Sequence, residues 1–396
     1  MQKWNKNSEH LIYLISSAIN GTDVKENRLD EIDFENLFIL AQKHTVASMV
    51  CMELEKTEIF SQCNPNIRKC WSEAKYKAIR KSLMLEADFE ILANKMENEG
   101  IWYLPLKGCV LKDFYPVYGM REMADFDILF DEAKRERVKE LFMEQSYSVE
   151  SYNISNHDVY YKPPVYNFEM HVSLFNDNYD KKLVDKYANV KDKLIQDKTK
   201  HCRFHFSNED FYVYFIAHAY KHYSQGGTGV RMLADIYVIN NKLASVMNWD
   251  YINRELRSLG IGGYEERSRL LSEKIFGFDK PLSEIAFSDD EREMLLYYLG
   301  SYTYGTMENH ILNRLRSLQN NNETVSAYTK FKYCTERLFP GRYYFKNSHP
   351  FIYRNPYIIP FFWIWRIVAK IPFRMKEIKR ELLILKSCNH TSSNGL

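Results

Sequence analysis

The stretch "LPLKGCVLKDFYPVYGMREMADFDILFD", residues 104–131, decides how the rest of the chain is read. Its end has strand character, yet Asp125 and Asp127 stand between large apolar residues. A strand turns successive side chains to opposite faces. Phe126, Ile128 and Phe130 therefore share one face, and Asp125, Asp127 and Leu129 share the other. The first face reads as core, and the second brings two carboxylates close together. Like charges that close repel unless water, a proton or a cation intervenes. A metal–phosphate site is one answer, and an exposed edge strand is another.

A second acidic strand favours the metal. In "YNFEMHVSL" (166–174), Phe168, Met170 and Val172 share one face while Glu169, His171 and Ser173 share the other. Placed beside the aspartate strand, Glu169 makes a third acid. Three crowded carboxylates suit one or two Mg²⁺ ions, hard cations that take oxygen ligands and share substrate phosphates. Upstream, Lys107-Gly108 falls between a buried strand and a helix, where backbone N–H groups and a lysine could meet phosphate. Arg121, four residues before Asp125, could grip phosphate in two-pronged fashion. Asp131 also falls on the acidic face, but the helical "DEAKRERVKELFMEQ" makes it an N-cap rather than a ligand.

Composition bounds the rest. A chain of 396 residues, 45% hydrophobic and 27% charged, has the make-up of a globular protein with enough length for two lobes. Tyr (29) and Phe (24) outnumber Gly (15), which points to packed helices. The net charge of +2 gives no bulk argument for nucleic acid or membrane. Seven cysteines without a CxxC pair, and a polar "MQKWNKNSEH" opening, lead to an expectation of a cytoplasmic protein with free thiols. "YIIPFFWIW" (357–365) is too short to span a bilayer and contains a proline.

Along the chain, helices are expected at 8–20, 33–56 (N-capped by Asp33) and 67–98, the last stopped by Asn98-Glu99-Gly100. Strands are expected at 101–106, 125–130, within "YSVES" and "DVYYK", and at 166–174. A helix over 108–115 and a turn at Pro163-Pro164 fall between them. From residue 208 the pattern is helical: 208–223, 229–243, 248–259, 263–276, 288–299 and 306–338, the last open to interruption by "LQNNNETV". The tail "KSCNHTSSNGL" is expected to be disordered. The organisation that follows is a helical region over 1–99, an α/β core over 100–206, a helical lobe over 207–338 and a basic aromatic segment over 339–396.

Taken together, these residues carry a resemblance. "LPLKGCVLKDFYP" followed by "GMREMADFDILF" resembles the uncharacterised nucleotidyltransferase family of the DNA polymerase β superfamily. "FEMHVSL" is similar to that family's third-acid strand. "AHAYKHYSQGGTGVRMLADIYVI" is similar to its H-x-x-x-H, glycine loop and Arg–Asp helix, and "PYIIPFFWIWRI" to its C-terminal P-x-h-h-P…R segment. The likeness extends to the "LAQKH" helix with His44. It implies an α+β fold, with a small mixed sheet and helices forming a polymerase-β-like core between N-terminal helices and a C-terminal helical lobe. It also implies Mg²⁺- or Mn²⁺-dependent transfer of a nucleotide from an NTP such as ATP to a hydroxyl on a small molecule, sugar, protein or RNA. Asp125, Asp127 and Glu169 become the metal triad, and Lys107, Gly108 and Arg121 the phosphate contacts. The superfamily's usual GS or GG dipeptide is here Gly108-Cys109. A non-catalytic nucleotide- or partner-binding module, or a metal-dependent phosphohydrolase, are the rival readings.

Two further features stand apart. His218 and His222 lie one helical turn from each other. With His171, Lys221, Arg231 and Asp235 they could line a cleft that grips substrate, beside a flexible "SQGGTG" loop; they could also sit at a seam between lobes. Two histidines with Asp235 could ligate zinc, but no HExxH glutamate or cysteine pair accompanies them. Residues 341–380 hold nine Lys or Arg against one acid, with eleven aromatics interleaved. The expectation is that the aromatics pack on the helical lobe, since prolines 350, 356, 360 and 372 break any long amphipathic helix; nucleic acid and an anionic membrane are the alternatives.

Overall fold

The computed structural model describes residues 4–176, 179–277, 280–319, 325–345, 349–370 and 372–388. Its contacts divide the chain into two units: residues 1–219 with 229–299, and residues 220–228 with 300–396.

In the first unit, helix α1 (Lys6–Asn20) is followed by α2 (Phe34–Lys43) and α3 (Ala47–Leu54). The Asp33 carboxylate caps α2 by accepting from Asn36 N at 3.0 Å, as the sequence implied. The single helix expected over 33–56 is two helices. Thr45 takes φ +51° and turns the chain, without a glycine or proline to signal it. Helix α4 (Pro65–Asn98) starts on a proline at its first turn and ends before Gly100, whose φ of +64° cannot continue a helix.

Five strands follow: β1 (Tyr103–Leu106), β2 (Phe126–Phe130), β3 (Ser148–Ser151), β4 (His157–Lys162) and β5 (Tyr166–His171). They form one mixed sheet in the order β1-β2-β5-β4-β3. The β2–β5 pair is parallel, while β1–β2, β5–β4 and β4–β3 are antiparallel. The crossover from β2 carries helix α5 (Arg135–Glu144), which Asp131 introduces by accepting from Ala133 N at 3.1 Å. Pro163-Pro164 makes the turn between β4 and β5 through a cis peptide. The expected 108–115 helix is a four-residue helix, Gly108–Leu111, tightening into a 3₁₀ turn.

One face of the sheet is the core. Leu85, Phe89, Leu92 and Met96, spaced along one stripe of α4, meet Phe126, Ile128, Phe130, Phe168 and Met170, while Val138, Leu141 and Phe142 come from α5. Phe89 stacks on Phe126 with ring centroids 4.5 Å apart, and Phe142 on Tyr160 at 4.2 Å. Each such fully buried side chain stabilises the fold by about 1.5–3 kcal/mol. The apolar alternation that fills this face leaves Asp127, Glu169 and His171 to the other.

After helix α6 (Lys181–Tyr187) and a two-stranded ribbon of β6 (Ile195–Gln196) and β7 (Phe204–His205), the chain is helical. The helices are α7 (Asn208–Gln225), α8 (Val230–Leu243), α9 (Trp249–Ser258), α10 (Gly262–Phe276) and α11 (Asp289–Ser301). Close contacts link α10 to α8 and α1.

In the second unit, α12 (Met307–Leu318), α13 (Ala327–Leu338) and α16 (Met375–Ser387) enclose Ile311, Leu315, Tyr333 and Leu385. Helix α12 ends at Leu318 and α13 starts at Ala327, while residues 320–324 of the "LQNNNETV" segment lie outside the described residues. The "SQGGTG" loop, expected to be flexible, is buried from Gly226 onward. Thr306 N donates to Gly226 O at 2.9 Å and Asn313 Nδ2 to Gln225 O at 2.9 Å. A Cβ on Gly227 (φ +86°) would lie 2.1 Å from Ser301 Oγ, so only glycine fits. Beyond α13, the prolines yield short helices, including α14 (Pro350–Arg354) and α15 (Ile359–Trp365). The aromatics there pack only in part: Phe345 is fully buried against Phe362, whereas Tyr343, Tyr344, Phe351, Tyr357, Phe361, Trp365 and Phe373 are exposed. Of the tail expected to be disordered, Lys386 and Ser387 are helical, and residues 389–396 lie outside the described residues.

Candidate active site

The register of the parallel pair builds the site. Asp127 of β2 stands opposite Glu169 of β5, and Leu129 opposite His171. Alternation then sets Asp127, Glu169 and His171 on the sheet face away from the core. His171 Nε2 lies 2.8 Å from Asp127 Oδ1 and 3.7 Å from Glu169 Oε2. Ligand atoms of these three residues lie within 4.8 Å of one another, and among the described residues they are the one such group. Of the three acids expected together, Asp127 and Glu169 lie in this group, with His171 beside them. Asp125 sits one residue before β2, partly exposed, outside that close group.

Electrostatics tie Asp125 to it nonetheless. Burial and the Asp127 charge push the Asp125 carboxyl up to about 6. Burial, with Asp127 and Asp125 adding to it, pushes Glu169 up to about 7. Asp127 goes the other way. Lys107 Nζ donates to its Oδ1 at 2.6 Å, and the lysine charge with the His171 hydrogen bond outweighs burial and holds Asp127 well below the usual range. His171, wholly buried beside Lys107, is pushed down to about 4 and stays neutral near pH 7.

Lys107 therefore meets Asp127 in this structure. It sits at φ +51°, ψ −120°, a region that costs a side-chain-bearing residue about 1–3 kcal/mol. Strain at that position aims the amine at the acid. Lys107→Gly should consequently be more stable than Lys107→Ala by about 1 kcal/mol, because both lose the amine but only alanine keeps the strain. Thermal unfolding of the two variants checks this, and equal melting temperatures would show that the backbone there is relaxed.

Arg121, expected at phosphate, is engaged elsewhere. Its Nε donates to Asp235 Oδ1 at 2.9 Å and its Nη2 to Asp235 Oδ2 at 3.1 Å, in a pair that is almost fully buried. Tyr115 Oη adds a third hydrogen bond to Asp235 at 2.7 Å. The remaining nitrogen, Nη1, faces Gly108, where a Cβ would come within 3.0 Å of it. Gly108 is thus needed for close approach by the guanidinium, a role its small size explains. Arg231 donates from Nη1 to Glu122 O at 3.3 Å, near both Arg121 and Asp125.

Of the histidines expected to line the cleft, His171 is in the metal-spaced group, whereas His218 and His222 are not. His218 lies 6.2 Å, ring to ring, from Tyr214, and Lys221 and His222 fall in the segment that belongs to the second unit. Asp235, the third member of the zinc alternative, has both oxygens bonded to Arg121. His44 is fully buried, receives the Val230 N–H at 3.4 Å and is pushed down to about 4 by burial.

Sequence reasoning missed Lys81. From the middle of α4 its Nζ donates to Ala124 O, the residue before Asp125, and its charge acts on Asp125. Forty-three positions separate the partners, and nothing local marks the lysine. His171 had a readable signal, since Glu-x-His on a strand places both side chains on one face.

A family model described as an uncharacterised nucleotidyltransferase matches residues 30–277. The chain belongs to that family. The matched region runs from before α2 to the end of α10 and contains every residue of the acidic cluster, together with Lys81, Lys107, Arg121, Arg231 and Asp235. Neither a curated protein nor a solved structure gives a match.

Proposed function

We propose that this nucleotidyltransferase has a polymerase-β-like core and transfers an NMP from an NTP to a hydroxyl-bearing acceptor, dependent on Mg²⁺ or Mn²⁺. The observation that carries the reading is the pairing of Asp127 with Glu169 across parallel strands, with His171 in the same close group. The donor set fits a divalent cation: crowded carboxylates, one buried and two half-buried and pushed towards neutrality, gain from one. Asp125, Asp127 and Glu169 would hold it. When bound, it supplies Lewis-acid polarisation of the phosphate and neutralises leaving-group charge.

The chain's own groups do the rest. Lys107, Arg231 and Lys81 surround Asp125 with positive charge suited to phosphate oxygens. Glu169 helps take the proton of the acceptor hydroxyl as its oxygen bonds to the α-phosphorus and the bond to pyrophosphate breaks. Arg121, fixed by Asp235, which also accepts from Tyr115, lies against Gly108 and donates to Glu122 O.

Incubation with each labelled NTP, Mg²⁺ or Mn²⁺ and a cell extract tests the reading, beside Asp125→Ala and Asp127→Ala. Label carried to an acceptor by the wild type alone supports it. Free phosphate without transfer favours the hydrolase, and nucleotide binding without either product favours the binding module.

The metal makes a separate prediction about stability. Glu169 and Asp125 have native pKa values raised above those of unfolded carboxylates. The native state therefore binds their protons more tightly. Their contribution is favourable below the unfolded values and is lost as pH rises through about 6 and 7. A divalent cation reverses that loss, so Mg²⁺ should raise the melting temperature more at alkaline than at mildly acidic pH. Scanning fluorimetry at both pH values checks it, and an equal rise at each would count against binding at these acids.

A further inference from the structure

We propose that the C-terminal part of the second unit, the described residues 339–345, 349–370 and 372–388, is a docking surface for an anionic lipid bilayer. Among the described residues, large apolar side chains left in water concentrate here: Phe361 (71%), Ile364 (62%), Trp365 (49%) and Val368 (70%) are exposed. Their spacing of three, one and three residues along α15 and the turn after it makes one outward apolar stripe. Phe373 is 91% exposed and Leu383 of α16 66%. Apolar patches of this kind mark surfaces that leave water on binding.

Charge complementarity identifies what covers them. Nine Lys or Arg against one acid over 341–380 call for an anionic partner. In α16 the exposed Lys376, Lys379 and Arg380 stand beside exposed Leu382 and Leu383. Single-stranded nucleic acid would use the aromatics for stacking, but it has no use for exposed Ile364, Val368, Leu382 and Leu383. A bilayer uses all three classes: aliphatic groups in the acyl boundary, Trp and Tyr at the headgroups, and cations against anionic lipid.

A second observation points the same way. A cavity of about 250 Å³ opens between α13, the turn after α15 and α16, with an apolar lining of Tyr333, Leu338, Ile367 and Leu385 and a rim where Glu381 and Glu377 are paired with Arg337 and Arg374. Arg366 also lines it, and its Nη1 is buried without a hydrogen-bond partner among the described residues. An apolar recess with an unsatisfied guanidinium nitrogen suits an amphipathic anion. Among the described residues, no helix is long and apolar enough to cross a membrane, so the contact is peripheral.

Co-sedimentation of the full chain with phosphatidylcholine vesicles, with and without phosphatidylglycerol, tests the proposal. Binding to the anionic vesicles, weakened by salt and accompanied by a blue shift of tryptophan emission, is expected. Each basic residue at such a surface contributes roughly fivefold, so Lys376→Gln/Lys379→Gln/Arg380→Gln should weaken binding roughly a hundredfold. Phe361→Ser/Phe373→Ser, also at exposed positions, should weaken it and remove part of the blue shift. Circular dichroism of both variants controls for folding. No binding, or equal binding to both vesicle types, overturns the proposal. So does binding of a single-stranded oligonucleotide with none to vesicles, or a dimer in sedimentation that the phenylalanine variant abolishes without any vesicle binding.

Discussion

Asp127→Asn is expected to lower nucleotidyl transfer by about three orders of magnitude or more, at several kcal/mol of lost charge stabilisation and about 1.4 kcal/mol per decade. Asp127 is the acid on which the site converges: Lys107 and His171 both bond its Oδ1, and Glu169 is its register partner. The amide keeps the shape and loses the charge. Asparagine would also leave the Lys107 ammonium without its counter-charge, so some loss of stability will accompany the loss of rate. Two measurements separate these effects: transfer assayed well below the variant's melting temperature, and Mg²⁺-dependent thermal stabilisation. Retention of both in Asp127→Asn would remove the sheet acids from the chemistry.

The second large effect is on folding. Arg121→Met should destabilise the protein by about 3–5 kcal/mol, because it leaves Asp235 charged and buried with the Tyr115 hydroxyl as its remaining hydrogen-bond partner among the described residues. Asp235→Leu should cost a similar amount by stranding the guanidinium. Replacing both together should recover much of the loss, since removing a buried pair is far milder than breaking one. Denaturant unfolding of the two single variants and the double variant measures the coupling. A direct phosphate role for Arg121 would give a different pattern: near-normal stability with a raised KM for the NTP.

Much of the fold could be read in advance because its signals are local. Alternation at 126–130 and 166–171 marked the core face, Asp33 and Asp131 marked helix starts, and Gly100 marked an end. The acidic cluster was readable for the same reason, as the period of a strand assigns Asp127, Glu169 and His171 to faces without knowledge of their neighbours. What escaped was set by distant partners or by unmarked backbone. The break at Thr45 has no glycine or proline. The attachment of Arg121 to Asp235 spans 114 positions, and an arginine four residues before an acid reads equally well as a phosphate clamp. The aromatic C-terminal segment ran against the rule that large apolar groups go inside, which holds only when the chain supplies something to cover them.

The long reach of the Arg121–Asp235 pair bears on how the molecule is made. The segment that carries Gly108 and Asp125 leaves the ribosome well before helix α8 does, and until Asp235 emerges the guanidinium has no buried acid to dock against. The nascent sheet can form early from its own strands, but the segment that carries Asp125 gains this anchor only after more than a hundred further residues have been translated.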